Sequence, residues 1–311
     1  MKTIAVSIGD INGIGLEIAL KAHHEIKKIC KPVYMINKAM LEQGAKILGL
    51  EIPYDFKIKE CGNIFEIKPS SVSSNSGEFS FDSFLKAVDF TKKGKSAAMV
   101  TLPIHKKAWE KAGIKYRGHT EALKDIFKKD AIMMIGCDRM YCSFYTHHIP
   151  LKDVAKKIKK KRLTNFLINF YHAIKEEPIG VLALNPHAGD EGVMGNEEKK
   201  IKKAIKKANK KLQKEIFLGP LVPDTAFTAK NREFIKYFVC MYHDQGLCTL
   251  KALYFDKSIN VSLNLPIIRT SVDHGTAFDI AYKDANPSLL SYINAVKEAI
   301  VLSDKQRRFV I

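Results

Sequence analysis

Five histidines stand beside turn-forming or polar residues near the ends of apolar runs: His119, His148, His187, His243 and His274. His148, His187 and His243 each follow a short apolar run that is typical of a β-strand. Open α/β sheets bind their ligands at the carboxyl ends of strands, and neutral imidazole is a common ligand for zinc and similar ions. These three residues are therefore candidate ligands of one divalent metal. They form no local motif such as HExxH, and hydrogen-bonded structural histidines also fit the pattern.

A second group of polar residues lies in the C-terminal third of the chain and comprises Lys251, Asn260, Arg269 and Asp273. Arg269 stands among apolar residues in the segment LPIIRTSVDHGT. Arginine and lysine in such surroundings suit the binding of a phosphate or a carboxylate. A buried arginine in a salt bridge fits the same pattern.

A glycine-rich segment, GDINGIGLE at 9–17, lies between a predicted strand and a predicted helix. Glycines at such a turn allow a tight bend and a close approach of the backbone to an anion or cofactor. The spacing is not GxGxxG, so the segment is not the Rossmann dinucleotide fingerprint. It indicates either a structural turn or a ligand loop.

Short strand-like runs alternate with stretches of helical periodicity along the chain. The predicted strands are 3–8, 33–36, 97–101, 131–135 and 179–184, and the predicted helices are 17–22, 39–49, 80–94, 119–128, 151–175 and 196–213. This alternation predicts an α/β fold with a largely parallel sheet. The serine-rich segment 70–77 is predicted to be a surface loop.

The composition limits the class of protein. A length of 311 residues, 46% of them hydrophobic, predicts about two domains. No apolar run approaches the ~18 residues of a membrane span, so no membrane association is expected. The six cysteines form no CxxC pair and no secretory segment opens the chain, which predicts a cytoplasmic protein with reduced thiols.

The formal net charge of +18 raises the question of a polyanionic partner. The lysine run at 199–211 is interleaved with apolar residues three and four apart, which predicts an amphipathic helix with its lysines in solvent. No aromatic residues are interleaved to stack on bases. A nucleic-acid partner is therefore not expected.

Several long segments in fixed order resemble the 4-hydroxythreonine-4-phosphate dehydrogenase (PdxA) family of vitamin B6 biosynthesis. They are SIGDINGIGLEI, TLPIHKKAWEKAGIKYRGHTEAL, ALNPHAGDEGVMGNEE, GPLVPDTAF, MYHDQGLCTLK and LNLPIIRTSVDHGTAFDIA. The resemblance covers nearly the whole chain. It implies two α/β/α domains flanking a cleft, similar to isocitrate and isopropylmalate dehydrogenases, with NAD bound without a Rossmann fingerprint.

The resemblance also implies a domain arrangement. We expect a discontinuous first domain of residues 1–125 and 275–311, and a second domain of residues 126–274 that carries the metal ligands and the dimer interface. The implied assembly is a homodimer with its active site at the subunit interface.

The family's site residues map onto this chain one by one. The implied metal ligands are His148, His187 and His243. This chain has His147-His148 where the family usually has Thr-His; His148 keeps the spacing to Pro150, and His147 is the alternative. The implied substrate-binding residues are His119, Thr120, Lys251, Asn260 and Arg269. Catalytic roles are expected for Asp244 and Lys251, and no cofactor-binding residue is assigned.

The activity implied is NAD-dependent oxidation and decarboxylation of 4-phosphooxy-L-threonine to 3-amino-2-oxopropyl phosphate, for pyridoxal 5'-phosphate synthesis. The expected cofactors are NAD, with NADP as the alternative, and a divalent metal such as Zn, Mg or Co. A related dehydrogenase of threonate or erythronate 4-phosphate has similar motifs and is the alternative function.

Overall fold

The structure is a computed structural model, and it describes residues 1–307. Strands and helices alternate along these residues, which confirms the predicted α/β class. The chain forms two compact units. The first consists of Met1–Ala131 together with the chain from Ile259 onward, and the second is the continuous segment Ile132–Ser258.

The strands, numbered in chain order, are β1 (Thr3–Ser7), β2 (Lys31–Met35), β3 (Ile58–Lys59), β4 (Ala98–Thr101), β5 (Ile132–Cys137), β6 (Met140–Phe144), β7 (Ile179–Leu182), β8 (Phe217–Leu221), β9 (Tyr237–Cys240), β10 (Ile259–Leu263) and β11 (Arg269–Val272). The α-helices are α1 (Gly15–Lys27), α2 (Lys38–Leu48), α3 (Ser74–Lys92), α4 (Lys106–Lys111), α5 (His119–Phe127), α6 (Leu151–Lys157), α7 (Lys160–Ile174), α8 (Glu197–Leu212), α9 (Pro223–Ala226), α10 (Ala229–Phe234), α11 (His243–Tyr254) and α12 (Leu290–Arg307). Short 3₁₀ segments cover Pro186–Gly192 and Phe255–Lys257.

In the first unit the strand order is β3-β2-β1-β4-β11-β10. All neighbours pair in parallel except β10 and β11, which are antiparallel. A core cluster that contains Trp109 and Phe84 packs against this unit's strands. The sheet therefore fixes the ends of β4, β10 and β11 beside one another.

In the second unit the strand order is β5-β6-β9-β7-β8. The β5–β6 pair is antiparallel and the remaining pairs are parallel. Helix α8 buries the apolar residues Ile201, Ala204, Ile205 and Ala208 and leaves its lysines exposed, as its periodicity predicts. Among residues 1–307, no helix combines the length and apolar character that crossing a bilayer requires.

The glycine-rich segment between β1 and α1 is buried within its own unit. A Cβ on Gly9, whose φ is +75°, would lie 2.1 Å from the carbonyl oxygen of Pro103, and the Asp10 amide donates to that oxygen at 2.8 Å. Asp10 and Asn12 are fully buried. Glycine here allows close packing of two backbone segments, as a structural turn requires.

Two predicted elements differ in the structure. Helix α3 begins inside the serine-rich segment that we predicted to be a loop, because the Ser73 side chain caps it by accepting from the Ser76 amide. The predicted helix 151–175 is two helices, since Ile158 is buried in an extended conformation between them.

The unit bounds also differ from the predicted domain bounds of 126 and 274. Residues 259–274, predicted for the second domain, lie in the first unit, where β10 pairs with β11 and β11 pairs with β4. Residues 126–131, predicted for the second domain, belong to the first unit together with the end of α5.

Candidate functional site

Arg269 begins strand β11 and is only 4% exposed. Its Nε and Nη2 atoms donate to Thr101 Oγ1 at 3.1 and 2.7 Å, and Nη1 donates to Ser262 Oγ at 3.1 Å. Nη2 also donates to His119 Nδ1 at 3.0 Å. The guanidinium is therefore held by neutral partners from three separate elements.

No carboxylate of residues 1–307 forms an ion pair with Arg269. Burial lowers the pKa of its guanidinium to about 9, so the group is still charged at pH 7. Buried charges in proteins are normally paired, because an isolated charge loses its hydration. A buried positive charge without a counter-charge therefore indicates a site that binds an anion.

The contact with Arg269 fixes the protonation of His119. Arginine only donates hydrogen bonds, so His119 Nδ1 must accept and the ring proton must lie on Nε2. Burial and the charge of Arg269 hold the pKa of His119 well below its usual range, which keeps the imidazole neutral. Nε2 is buried and has no hydrogen-bond partner among the described residues, so an N–H donor is available there.

His119 and Thr120 occupy the first turn of α5, where backbone N–H groups are not used within the helix. No side chain caps this end of the helix. The His119 ring packs against Phe84 and Trp109, with ring centroids 4.9 and 5.4 Å away. The helix terminus and the fixed imidazole together favour negative charge at this place.

Asn260 lies on β10 on the same face of the sheet as Ser262, because side chains alternate along a strand. Ser262 is paired directly with Arg269 in the register of β10 and β11. The Oδ1 atom of Asn260 is buried and finds no hydrogen-bond partner within residues 1–307. Asn260 thus adds an unused polar atom on the face that carries Arg269.

In the second unit, His148 and His243 lie together with ring centroids 5.5 Å apart. His243 begins α11, and its Nδ1 is 2.7 Å from Oδ1 of Asp244. This contact leaves Nε2 of His243 available to a ligand. Asp244 itself is exposed, with 73% of its side chain accessible.

His148 has a left-handed backbone with a φ of 52°. The ring of His147 lies 5.1 Å from that of His148. The ring of His148 also contacts that of His243. His148 and His243 therefore form a pair of imidazoles.

His187 is exposed in the segment Pro186–Gly192 and does not join this pair. Within residues 1–307, no three His, Cys, Asp or Glu side chains form a group that could hold a metal ion. One chain thus presents two imidazoles together and the third separately. Lys251, on α11, is half-buried and donates from Nζ to Ser258 Oγ at 3.1 Å.

Sequence reasoning missed two residues of the first unit's site, Thr101 and Ser262. Thr101 ends the apolar run 97–101, and a polar residue at the end of a strand is the signal that could have identified it. Ser262 lies within a strand and carries no comparable signal.

Comparison with known proteins assigns the chain to a family. The family model described as pyridoxal phosphate biosynthetic protein PdxA matches residues 28–299. The chain belongs to the PdxA family. This confirms the resemblance seen in the sequence motifs.

Two relatives and one solved structure illustrate the similarity. A Sulfurimonas denitrificans protein named 4-hydroxythreonine-4-phosphate dehydrogenase is 57% identical over 302 residues, which cover 97% of this chain and 98% of that protein. A Campylobacter fetus protein of the same name is 58% identical with the same coverage. The crystal structure of a 4-hydroxythreonine-4-phosphate dehydrogenase from Burkholderia phymatum is 29% identical with a TM-score of 0.82, and the match covers 97% of this chain and 98% of that chain.

Proposed function

We propose that this PdxA-family chain is an NAD-dependent and metal-dependent 4-hydroxythreonine-4-phosphate dehydrogenase. Its substrate would be 4-phosphooxy-L-threonine, and its product after decarboxylation would be 3-amino-2-oxopropyl phosphate. The observation that carries the proposal is the buried Arg269 guanidinium without a carboxylate partner, because a phosphorylated substrate supplies the missing negative charge. The dehydrogenase names of the relatives support the reaction type.

In this proposal the first unit binds and orients an anionic end of the substrate. Arg269 supplies the charge, and the Nε2–H group of the neutral His119 supplies a further hydrogen bond. Thr120 and the backbone N–H groups at the start of α5 add donors there. Asn260 is proposed to bind a donor group of the substrate through its unused Oδ1.

The metal is proposed to bind His148, His187 and His243. The paired imidazoles of His148 and His243 fit a divalent ion such as Zn or Co in chemistry, and the Asp244 contact with His243 Nδ1 suits the orientation of a ligand. The separate position of His187 supports a site completed by a second subunit. A bound divalent ion would lower the pKa of a substrate hydroxyl and stabilise negative charge on oxygen.

Two residues of α11 are assigned distinct roles. Asp244 is proposed to orient His243, because its carboxylate contacts the ring directly and is otherwise exposed. Lys251 is proposed to bind the substrate and to move a proton, since its half-buried Nζ lies beside a hydroxyl, that of Ser258. NAD, when bound, would supply the hydride acceptor. The buried loop between β1 and α1 is not assigned any contact with it.

A homodimer with the active site at the subunit interface is part of the proposal. Four apolar side chains of the second unit are between 67% and 81% exposed and are available for burial at such an interface: Leu151, Val193, Phe234 and Phe255. Sedimentation equilibrium should give twice the chain mass of 35.0 kDa. A monomer at all protein concentrations would contradict this part.

The decisive experiment for the activity measures NADH formation. Purified protein with NAD, a divalent metal and 4-phosphooxy-L-threonine should produce NADH, and a chelator should abolish it. Threonate 4-phosphate and erythronate 4-phosphate, compared by kcat/KM, test the alternative function. No NADH with saturating substrate and metal would refute the assignment.

A separate experiment tests the metal ligands. His187→Ala should lower the bound metal content and the activity together. Full metal content and full activity in this variant would refute the metal assignment without affecting that of the anion site.

A further inference from the structure

Thr101 accepts two of the four hydrogen bonds that the Arg269 side chain donates within the described residues. Its Oγ1 accepts from Nε at 3.1 Å and from Nη2 at 2.7 Å, so one oxygen binds two nitrogens on one edge of the guanidinium. Thr101 is fully buried and ends β4, where its backbone pairs with Ser7 on one side and Ser271 on the other. The hydroxyl is therefore held by a strand that is fixed on both sides.

The donors of Arg269 can be counted. A guanidinium has five N–H groups, and four of them bind Thr101 twice, Ser262 once and His119 once. One N–H remains on Nη1. His119 keeps one further unpaired donor, Nε2–H, because Arg269 occupies its Nδ1.

We propose that Thr101 is a positioning residue of the anion site. Its hydroxyl fixes the plane of the Arg269 guanidinium and, through Arg269, the Nε2–H tautomer of His119. The two donors that remain, one on each residue, are then available to an anion. This inference rests on the anion-binding role of Arg269 in the proposed function.

Two substitutions of Thr101 distinguish the role of its hydroxyl oxygen from the role of its side-chain shape. Thr101→Val has nearly the same shape but leaves two N–H groups of a buried cation without an acceptor, which favours reorientation of the guanidinium. Thr101→Ser keeps the oxygen and loses only a methyl group. Ser262→Ala is the matched control, because it removes a single hydrogen bond from the same guanidinium.

The test uses inorganic phosphate as the probe and calorimetry as the measurement at pH 7. Thr101→Val should raise the Kd for phosphate by at least about tenfold, whereas Thr101→Ser should stay within about threefold of the unmodified protein. The Kd of Ser262→Ala for phosphate should lie between those of the two Thr101 variants. In the NADH assay, KM for the phosphorylated substrate should rise more than kcat falls.

A spectroscopic measurement distinguishes positioning from general destabilisation. Nitrogen NMR of labelled histidine should show His119 protonated only at Nε2 in the unmodified protein and in Thr101→Ser. Thr101→Val should show both neutral tautomers, while circular dichroism verifies that it is folded.

The outcomes separate this inference from the function on which it rests. If Thr101→Val kept both the phosphate affinity and the Nε2–H tautomer of His119 seen in the unmodified protein, the role of Thr101 alone would be overturned. Equal losses in Thr101→Ser and Thr101→Val would also overturn it, because the oxygen would then be irrelevant. Absence of phosphate binding in the unmodified protein would overturn both this inference and the proposed anion site.

Discussion

Arg269 is held in an arrangement that folding alone does not favour. Its partners Thr101, Ser262 and His119 are all neutral, so four of its five N–H groups are hydrogen-bonded while its charge is not compensated. A buried charge without a counter-charge reduces stability, and such a residue is retained where a ligand supplies the opposite charge.

Phosphate should therefore stabilise the folded protein through Arg269. At a phosphate concentration of about 100 times its Kd, the free energy of unfolding should rise by about 2.7 kcal/mol. Arg269→Met should lose this increase while remaining folded. Thermal unfolding with phosphate, against chloride at equal ionic strength, measures the difference. The same phosphate effect in both proteins would contradict the prediction.

Asp10 makes stability depend on pH. Burial raises its pKa from 3.8 to about 6. Between about pH 4 and pH 6 the folded state keeps a proton that the unfolded state releases, so stability falls as the pH rises through this range. The loss is complete above pH 6 and amounts to at most about 3 kcal/mol.

Asp10→Asn should remove this pH dependence and raise the free energy of unfolding at pH 7 by about 1–3 kcal/mol. The amide oxygen still accepts from the Asn12 backbone N–H, as the carboxylate does. Urea unfolding between pH 4 and pH 7 is the measurement, with Asp138→Asn at an exposed site as control. If the free energy of unfolding of Asp10→Asn depended on pH as steeply as that of the unmodified protein, the prediction would be refuted.

Sequence motifs identified Arg269 and His119, but the sequence did not show which residues hold these two side chains. Thr101 and Ser262 come from strands distant in sequence, and only the pairing of β4, β11 and β10 brings their hydroxyls to one guanidinium. Which nitrogen of His119 carries the proton follows from that contact alone.

At the scale of elements, the segment that carries His187 has an unusual backbone. Four non-glycine residues, His187, Ala188, Asp190 and Glu191, have φ between 42° and 54°, and Gly189 between them also has a positive φ. Left-handed conformations cost roughly 1–2 kcal/mol for each L-residue, so neighbouring structure must hold the segment. The sequence alone predicted only a turn after a strand.

Glu198 in the first turn of α8 provides that support. Its buried carboxylate accepts from the backbone N–H groups of Leu184 and Asn185 at 3.0 and 2.8 Å, and from Asn185 Nδ2 at 2.9 Å. These bonds tie the start of the His187 segment to a helix terminus, where a carboxylate is also favoured by the helix dipole.

Glu198→Gln should loosen the segment, because its amide group would face the amide group of Asn185, donor against donor. We expect a loss of about 1–3 kcal/mol in stability and faster hydrogen exchange across residues 184–195. Glu197→Gln is the matched control, since Glu197 is less buried and accepts from Asn185 Nδ2 at 2.9 Å but not from the backbone N–H groups of Leu184 and Asn185. Equal rates of hydrogen exchange across residues 184–195 in the two variants would contradict the prediction that Glu198 holds this segment.

At the scale of the whole molecule, the two units differ in how the chain builds them. The second unit is continuous, from Ile132 to Ser258, and has its own core cluster. The first unit needs the distant strands β10 and β11 and helix α12, which packs on β11 and β4. The alternation of strands and helices predicted the α/β class, but not this division, because pairing between distant strands leaves no local pattern.

A fragment of residues 132–258 should therefore fold by itself. We expect a helical and β-rich circular dichroism spectrum and a cooperative urea transition. The fragment 1–131 should show no cooperative transition, since β4 then lacks its neighbour β11. Cooperative unfolding of 1–131, or its absence in 132–258, would contradict the division.

Trp109 has a consequence for how this protein can be studied. It is the single tryptophan of the chain, it is fully buried, and its ring stands edge-on to His119 at a centroid distance of 5.4 Å. Its indole is fixed by a hydrogen bond from Nε1 to Ser80 Oγ at 2.7 Å. All tryptophan fluorescence of the protein therefore comes from an indole beside the His119 imidazole, which is proposed to bind the substrate. The chain carries its own fluorescent reporter, and phosphate titration should change its emission without any label.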